Sequence, residues 1–233
     1  MRKPYHSQTP RQIPSRAQDA LSEDQLEALL DAVNTRYPSG QRNLALLLVM
    51  ADAGLRVAEA VGLETQDLIT EAGQLTHMKI RHGKRGKQGR IALTPRTAAK
   101  LARWLRTRAE LGIGRGAIFC TISEGKAGGH WAEDGQALEP GRAVNTEYVR
   151  QLVHRLAWKA GIEGRVTPHT LRHTFATRLL RATGNLEIVR KALRHSDIQT
   201  TAGIYSHLVQ EDVDRSIARL SEVAASRPRV GGS

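Results

Sequence analysis

The chain of 233 residues is 40% apolar and 25% charged, which suits one packed domain, with at most a short appendage, and excludes wholesale disorder. Thirty-five Lys and Arg against 23 Asp and Glu leave a net charge of +12, the balance of a protein with a polyanionic partner. One cysteine excludes a disulfide framework and a cysteine-rich zinc module. The longest fully apolar run, Leu44 to Ala51, is far short of a membrane span, and no signal-peptide pattern follows the basic N-terminus, so a cytoplasmic chain is expected.

In chain order, residues 1–20 hold three prolines and four bases and read as a flexible basic arm. Ser22 and Gln25 have capping-box spacing for a helix over 23–34. Tyr37-Pro38-Ser39-Gly40 reads as a turn. A buried helix over 42–53 follows, ended by Gly54, then a short helix over 57–62. Leu75–Ile80 and Arg90–Leu93 read as two strands of a hairpin, joined through the glycine-rich, basic connection 82–89. Pro95 opens a long basic helix to Leu111. The stretch 121–143 is rich in glycine and polar residues and reads as a loop, with Cys120 a buried strand residue before it. Helices are predicted at 146–160, 168–182, 186–194, 198–206 and 211–224, ahead of a disordered tail over 226–233. The fold class is mostly α with a small antiparallel β-hairpin or sheet (α+β).

The positive charge is concentrated. Residues 79–108 carry eleven Lys or Arg and no acid, residues 165–195 carry seven bases against Glu187, and residues 21–74 sum to −6. Clustering without acids points to phosphate contacts; within the first block, Arg81, Arg85, Lys87, Arg90 and Arg103 are the candidate DNA-binding residues.

Several residues can carry chemistry. Thr167 is placed as an N-cap and Pro168 as the first helical residue, so His169 and Arg172 lie at the helix start on one face. A helix N-terminus with an imidazole and a guanidinium is a phosphate clamp. His169 and His173 also have metal-ligand spacing, but Arg172 lies between them where a carboxylate would be wanted. Arg56, in apolar company, needs a partner; Glu59 or a phosphate oxygen can serve. Lys84, in the hairpin connection, can donate a proton or touch backbone phosphate. Tyr205 follows His195 in a polar setting and can act as a nucleophile where cations stabilise its phenolate.

The order of these residues, with Gly54-Leu55-Arg56-Val57-Ala58-Glu59, Gly83-Lys84, Pro168-His169-Thr170-Leu171-Arg172-His173-Thr174-Phe175-Ala176-Thr177 and Leu193-Arg194-His195-Ser196 leading to Tyr205, resembles the catalytic domain of the tyrosine recombinases, the phage-integrase family. The resemblance runs from Asn43 to Leu208. It implies a site-specific recombinase that cuts and rejoins DNA through a 3′-phosphotyrosine without cofactor or metal. Carried over, Tyr205 is the nucleophile, Arg56 and Arg172 hold the scissile phosphate, and His169 and His195 donate hydrogen bonds and assist proton transfer. Lys84 is the general acid, and Glu59 is a supporting acid. The partner implied is double-stranded DNA with specific sites, bound as a homo-tetramer by a chain that is monomeric when free, in the cytoplasm at the nucleoid.

Two departures stand out. The step from His195 to Tyr205 is one residue longer than the family's usual spacing, with Ala202-Gly203 carrying the addition. Only 55 residues precede Arg56, and the helices predicted there already belong to a catalytic domain over 21–225, so the N-terminal core-binding clamp usual in the family is not expected within this sequence, as in a minimal recombinase or in one from which the clamp has been removed. Two other readings share these features: a DNA-binding regulator on the same fold that does not cut, and a type IB topoisomerase.

Overall fold

The computed structural model describes residues 20–81, 89–122 and 140–194. The expected arm over 1–20, apart from Ala20, the connection 82–88, the central part of the predicted loop, the helices at 198–206 and 211–224 and the tail lie outside them. Helix α1 (Glu23–Asp31) starts on the expected capping box: Ser22 Oγ accepts from Gln25 N–H, and the Gln25 side chain accepts from Ser22 N–H. Helix α2 covers Pro38–Ala51, so the turn expected at 37–40 is its first turn. Pro38 is its first residue, where a missing N–H is harmless. Gly40 is required by space, since a Cβ there would sit 1.8 Å from the carbonyl oxygen of Asn34.

Every residue from Ala45 to Ala51 is fully buried, as an apolar run with no polar face demands. Helix α2 packs against α4 (Pro95–Glu110), which begins at the expected proline with Thr94 Oγ1 capping Thr97 N–H. Trp104 of α4 is buried and its indole N–H donates to Ile118 O at 2.8 Å, so the largest side chain of the core carries no unmet donor.

The hairpin is one half of a three-stranded antiparallel sheet in the order β1-β2-β3: β1 (Leu68–Glu71), β2 (Gln74–Ile80) and β3 (Gly89–Ala92). Strand β1 was absent from the sequence reading. It joins β2 through the two-residue turn Ala72-Gly73, both at positive φ. In β2, Met78 and Ile80 are buried while Lys79 faces out. After α4, Cys120 is fully buried and bridges Ala143, so the two ends of the predicted loop are held together.

Helices α5 (Thr146–Lys159), α6 (Pro168–Thr183) and α7 (Leu186–Leu193) follow, within a residue or two of expectation. The chain divides into two compact units at Thr174/Phe175. The first holds the large core around α2. The second has its own cluster of Ala176, Leu180, Val189 and Leu193, and its helix α7 ends at Arg194 in the left-handed region.

Candidate active site

The site is built where α2 gives way to the short helix α3 (Val57–Val61). Gly54 has φ +64°, a conformation that costs glycine little, and it swings the chain out of α2 so that Arg56 becomes the N-cap of α3. Glu59, three residues on, accepts from Arg56 N–H at 2.8 Å through Oε2 and from Arg56 Nη1 at 3.2 Å through Oε1. The carboxylate that caps the helix therefore also holds the arginine side chain.

Arg172 reaches the same place from α6. Its guanidinium is 4% exposed, donates through Nη1 to the carbonyl of Gly54, and stands 3.9 Å from Glu59 Oε2. Glu59 thus has one oxygen toward each arginine. The two contacts differ in character: Arg56 is 40% exposed and can meet a ligand, whereas Arg172 is almost sealed from water.

His169 sits one turn before Arg172. Thr167 Oγ1 accepts from Thr170 N–H at 3.3 Å and Thr170 Oγ1 accepts from Thr167 N–H at 3.1 Å, a reciprocal cap that confirms the expected helix start. Partial burial, followed by the charges of Arg172 and Arg56, holds the imidazole of His169 below its usual proton affinity. Its ring meets that of His173 edge to face, with centroids 4.6 Å apart. Among the described residues no group of three or more His, Cys, Asp or Glu is placed to hold a metal ion.

Four of the seven residues singled out for chemistry and its support, Arg56, Glu59, His169 and Arg172, are therefore brought to one place. Lys84, His195 and Tyr205 lie outside the described residues, as do Arg85 and Lys87. The other candidate DNA contacts fare differently. Arg81 is held by Asp67 and, at 3.2 Å, by Glu64. Arg90 donates to Glu71 and lies 2.9 Å from His77 Nδ1. Arg103 is exposed on α4.

An open cleft of about 390 Å³ adjoins Arg56, and its lining includes Glu59, Asp67, Lys79 and Arg81. Sequence reasoning passed over Asp67, which belongs to the unpredicted 3₁₀ turn before β1, and Lys79, whose one signal was its place at the head of the acid-free block. Tyr148, another described tyrosine, is tied into the core: its hydroxyl accepts from Arg42 and lies 3.0 Å from Asn43 Oδ1, and Arg42 stacks over its ring. These contacts give the Tyr148 hydroxyl a structural part.

Two guanidiniums sharing a carboxylate, with an imidazole of lowered proton affinity at a helix N-terminus, are the donor types that suit a tetrahedral or five-coordinate anion, which Arg56 with its exposed flank can meet first. The donors are fixed before a ligand arrives, which is the condition for stabilising charge that develops during a reaction.

The phage integrase family model matches residues 19–212. Tyrosine recombinase XerD of Ralstonia nicotianae is 33% identical over 198 residues, 85% of this chain and 58% of that protein. Tyrosine recombinase XerC of Escherichia coli O157:H7 is 30% identical over 200 residues, 86% of this chain and again 58% of the relative. The crystal structure of XerA recombinase superposes with a TM-score of 0.67 at 26% identity, covering 95% of this chain and 68% of that one. The chain thus spans a little over half the length of the curated relatives it matches. With the family model covering residues 19–212, over a fold and an arginine–carboxylate–histidine cluster of the expected kind, the chain belongs to the phage integrase family.

Proposed function

We propose that this chain carries the catalytic machinery of a site-specific DNA recombinase, which cuts and rejoins strands through a 3′-phosphotyrosine. One observation carries the reading: Glu59 bridges Arg56 and Arg172 beside His169, whose proton affinity partial burial and the two arginines lower, an arrangement suited to one backbone phosphate. In the forward step the Tyr205 oxygen attacks phosphorus, the P–O5′ bond breaks, and the 5′-oxygen leaves with a proton from Lys84. His169 and His195 donate to the non-bridging oxygens and help move the phenol proton. Rejoining is the reverse, so the phosphotyrosine conserves the bond energy and no nucleotide is consumed.

The phosphorane passed through carries more negative charge than the ground state. Donors already aimed at it lower the barrier, and removing one costs on the order of 10²–10³ in rate. The partner is double-stranded DNA with specific sites, on which four copies assemble from free monomers; the names of the relatives, tyrosine recombinases, support the DNA substrate. The test is a nicked suicide duplex. The wild-type chain should become covalently attached to the DNA, and Tyr205→Phe should bind the same duplex without forming the adduct. A normal adduct yield from Tyr205→Phe would overturn the assignment.

A further inference from the structure

The outer face of the sheet carries His77, Lys79, Arg81 and Arg90 among the described residues, and the fold treats them unequally. Strand alternation puts His77, Lys79 and Arg81 on the side opposite the buried Met78 and Ile80. Arg81 at one end is clasped by Asp67, itself 2% exposed, and by Glu64. Arg90 on β3 is joined to Glu71. Lys79 lies between these two acidic clusters, opposite Arg90 in the strand register, and no carboxylate among the described residues forms an ion pair with it. It is exposed, and it lines the same cleft as Arg56.

The cleft itself is partly neutralised. Of the acids on its wall, Glu59 is committed to the two arginines and Asp67 to Arg81. Among the described residues lining the cleft, Lys79 is therefore a cation beside Arg56 that no carboxylate offsets. A DNA strand supplies a phosphate about every 3.4 Å of helix axis, so a scissile phosphate always brings neighbours. A lysine suits this contact: a compact charge on a flexible stem, demanding no fixed geometry.

Resting on the recombinase reading above, we propose that Lys79 binds the backbone phosphate next to the one held by Arg56. The contact is sequence-independent and sets how deeply the strand lies along the sheet. Arg81, which the charge pattern of the sequence favoured, serves instead to fasten β2 to Asp67 and Glu64.

The test is the salt dependence of binding. A labelled duplex is titrated with the full chain by fluorescence anisotropy at several salt concentrations between about 50 and 200 mM, using wild type, Lys79→Met and Lys79→Arg. One phosphate contact contributes about 0.9 to the slope of log K against log salt. Lys79→Met should be shallower by about that amount and should bind about eightfold more weakly at about 0.1 M salt, the factor that slope gives over one decade. Lys79→Arg should match wild type, and unchanged melting temperatures separate the effect from misfolding. A steep wild-type slope that Lys79→Met leaves unaltered overturns the assignment alone. A wild-type affinity indifferent to salt overturns the DNA reading and this contact with it.

Discussion

Replacing Glu59 by Gln removes one charge from between two arginines and changes little else in shape. The amide oxygen can still accept from Arg56 N–H, so the cap of α3 survives. What is lost is the attraction between a carboxylate and Arg172, 3.9 Å apart with both side chains under a tenth exposed. At that separation and an effective dielectric near 20 the Coulomb energy is about 4 kcal/mol. The pair with Arg56 contributes less than about 1 kcal/mol, because that guanidinium is 40% exposed and screened by water. Breaking a buried pair by deleting one partner typically costs about 3–5 kcal/mol; with the Gly54 carbonyl still accepting from Arg172, the lower end applies. About 3 kcal/mol lowers Tm by roughly 6–12 °C in a chain of this size. The assay is thermal unfolding followed by circular dichroism, with and without a DNA duplex. A phosphate between the arginines supplies the missing negative charge, so DNA should raise Tm more in Glu59→Gln than in wild type. A variant that melts with wild type would show that Glu59 is not the counter-charge. A variant that melts early yet gains no more from DNA than wild type would show that phosphate does not enter between these arginines.

The remaining predictions address single groups. Tyr148→Phe should retain strand cleavage, because its hydroxyl serves Arg42 and Asn43, and should lose about 1–2 kcal/mol of stability in denaturant unfolding; loss of the covalent adduct in this variant would make Tyr148 the nucleophile in place of Tyr205. His169 should titrate by NMR below the usual imidazole value, since burial and two arginines oppose its protonation. Its folded-state affinity being the lower one, its contribution to stability is complete above the unfolded-state value near 6.5 and is lost as pH falls through the folded-state value; a midpoint at or above that of the denatured chain would contradict the placement. The covalent-adduct test of Tyr205→Phe and the salt slope of Lys79→Met complete the set.

What the sequence disclosed follows the range of the forces involved. Helix starts at Ser22 and Thr167 were legible because each is fixed by a side chain bonding within three residues, and that of α4 because Pro95 marks its first residue. The start of α2 was misplaced because Tyr37 offers no side-chain cap and Pro38-Ser39-Gly40 has the composition of a turn. Strand β1 escaped notice because it is four residues long and its hairpin turn uses Ala72 at φ 48°, a position where alanine gives no turn signal. In the site, Arg56 and Glu59 are a local pair and could be weighed from spacing alone. The bond from Arg172 to Gly54 crosses 118 positions; no periodicity reports it, and only the motif order suggested that the two arginines meet. The two readings offered for Arg56, an ion pair with Glu59 or a phosphate contact, prove compatible, because the carboxylate is shared and Arg56 keeps an exposed flank.

Charge counted along a chain overstates the charge a fold presents. The acid-free block at 79–108 implied an uninterrupted basic surface, but acids from the preceding segment fold back onto it. Glu27 holds Arg96 through two hydrogen bonds at 2.6 and 2.9 Å, Glu64 and Asp67 hold Arg81, and Glu71 holds Arg90. Arg108 leaves the surface altogether: it is 4% exposed in the last turn of α4, donates through Nη1 to Ile113 O at 3.3 Å, and has no hydrogen-bond partner for Nε or Nη2 among the described residues. The carbonyl end of the helix dipole is the environment that tolerates such a cation. Arg90 and Arg96 are exposed but ion-paired; Lys79, Lys100, Arg103 and Arg106 are exposed with no ion pair among the described residues, and of these four only Lys79 lines the cleft beside Arg56. Three bases of the +11 block at 79–108, Arg81, Arg90 and Arg96, are thus offset by acids of the −6 segment at 21–74. On the recombinase reading, Lys79 is therefore the described member of the block placed to meet a phosphate beside the arginine pair.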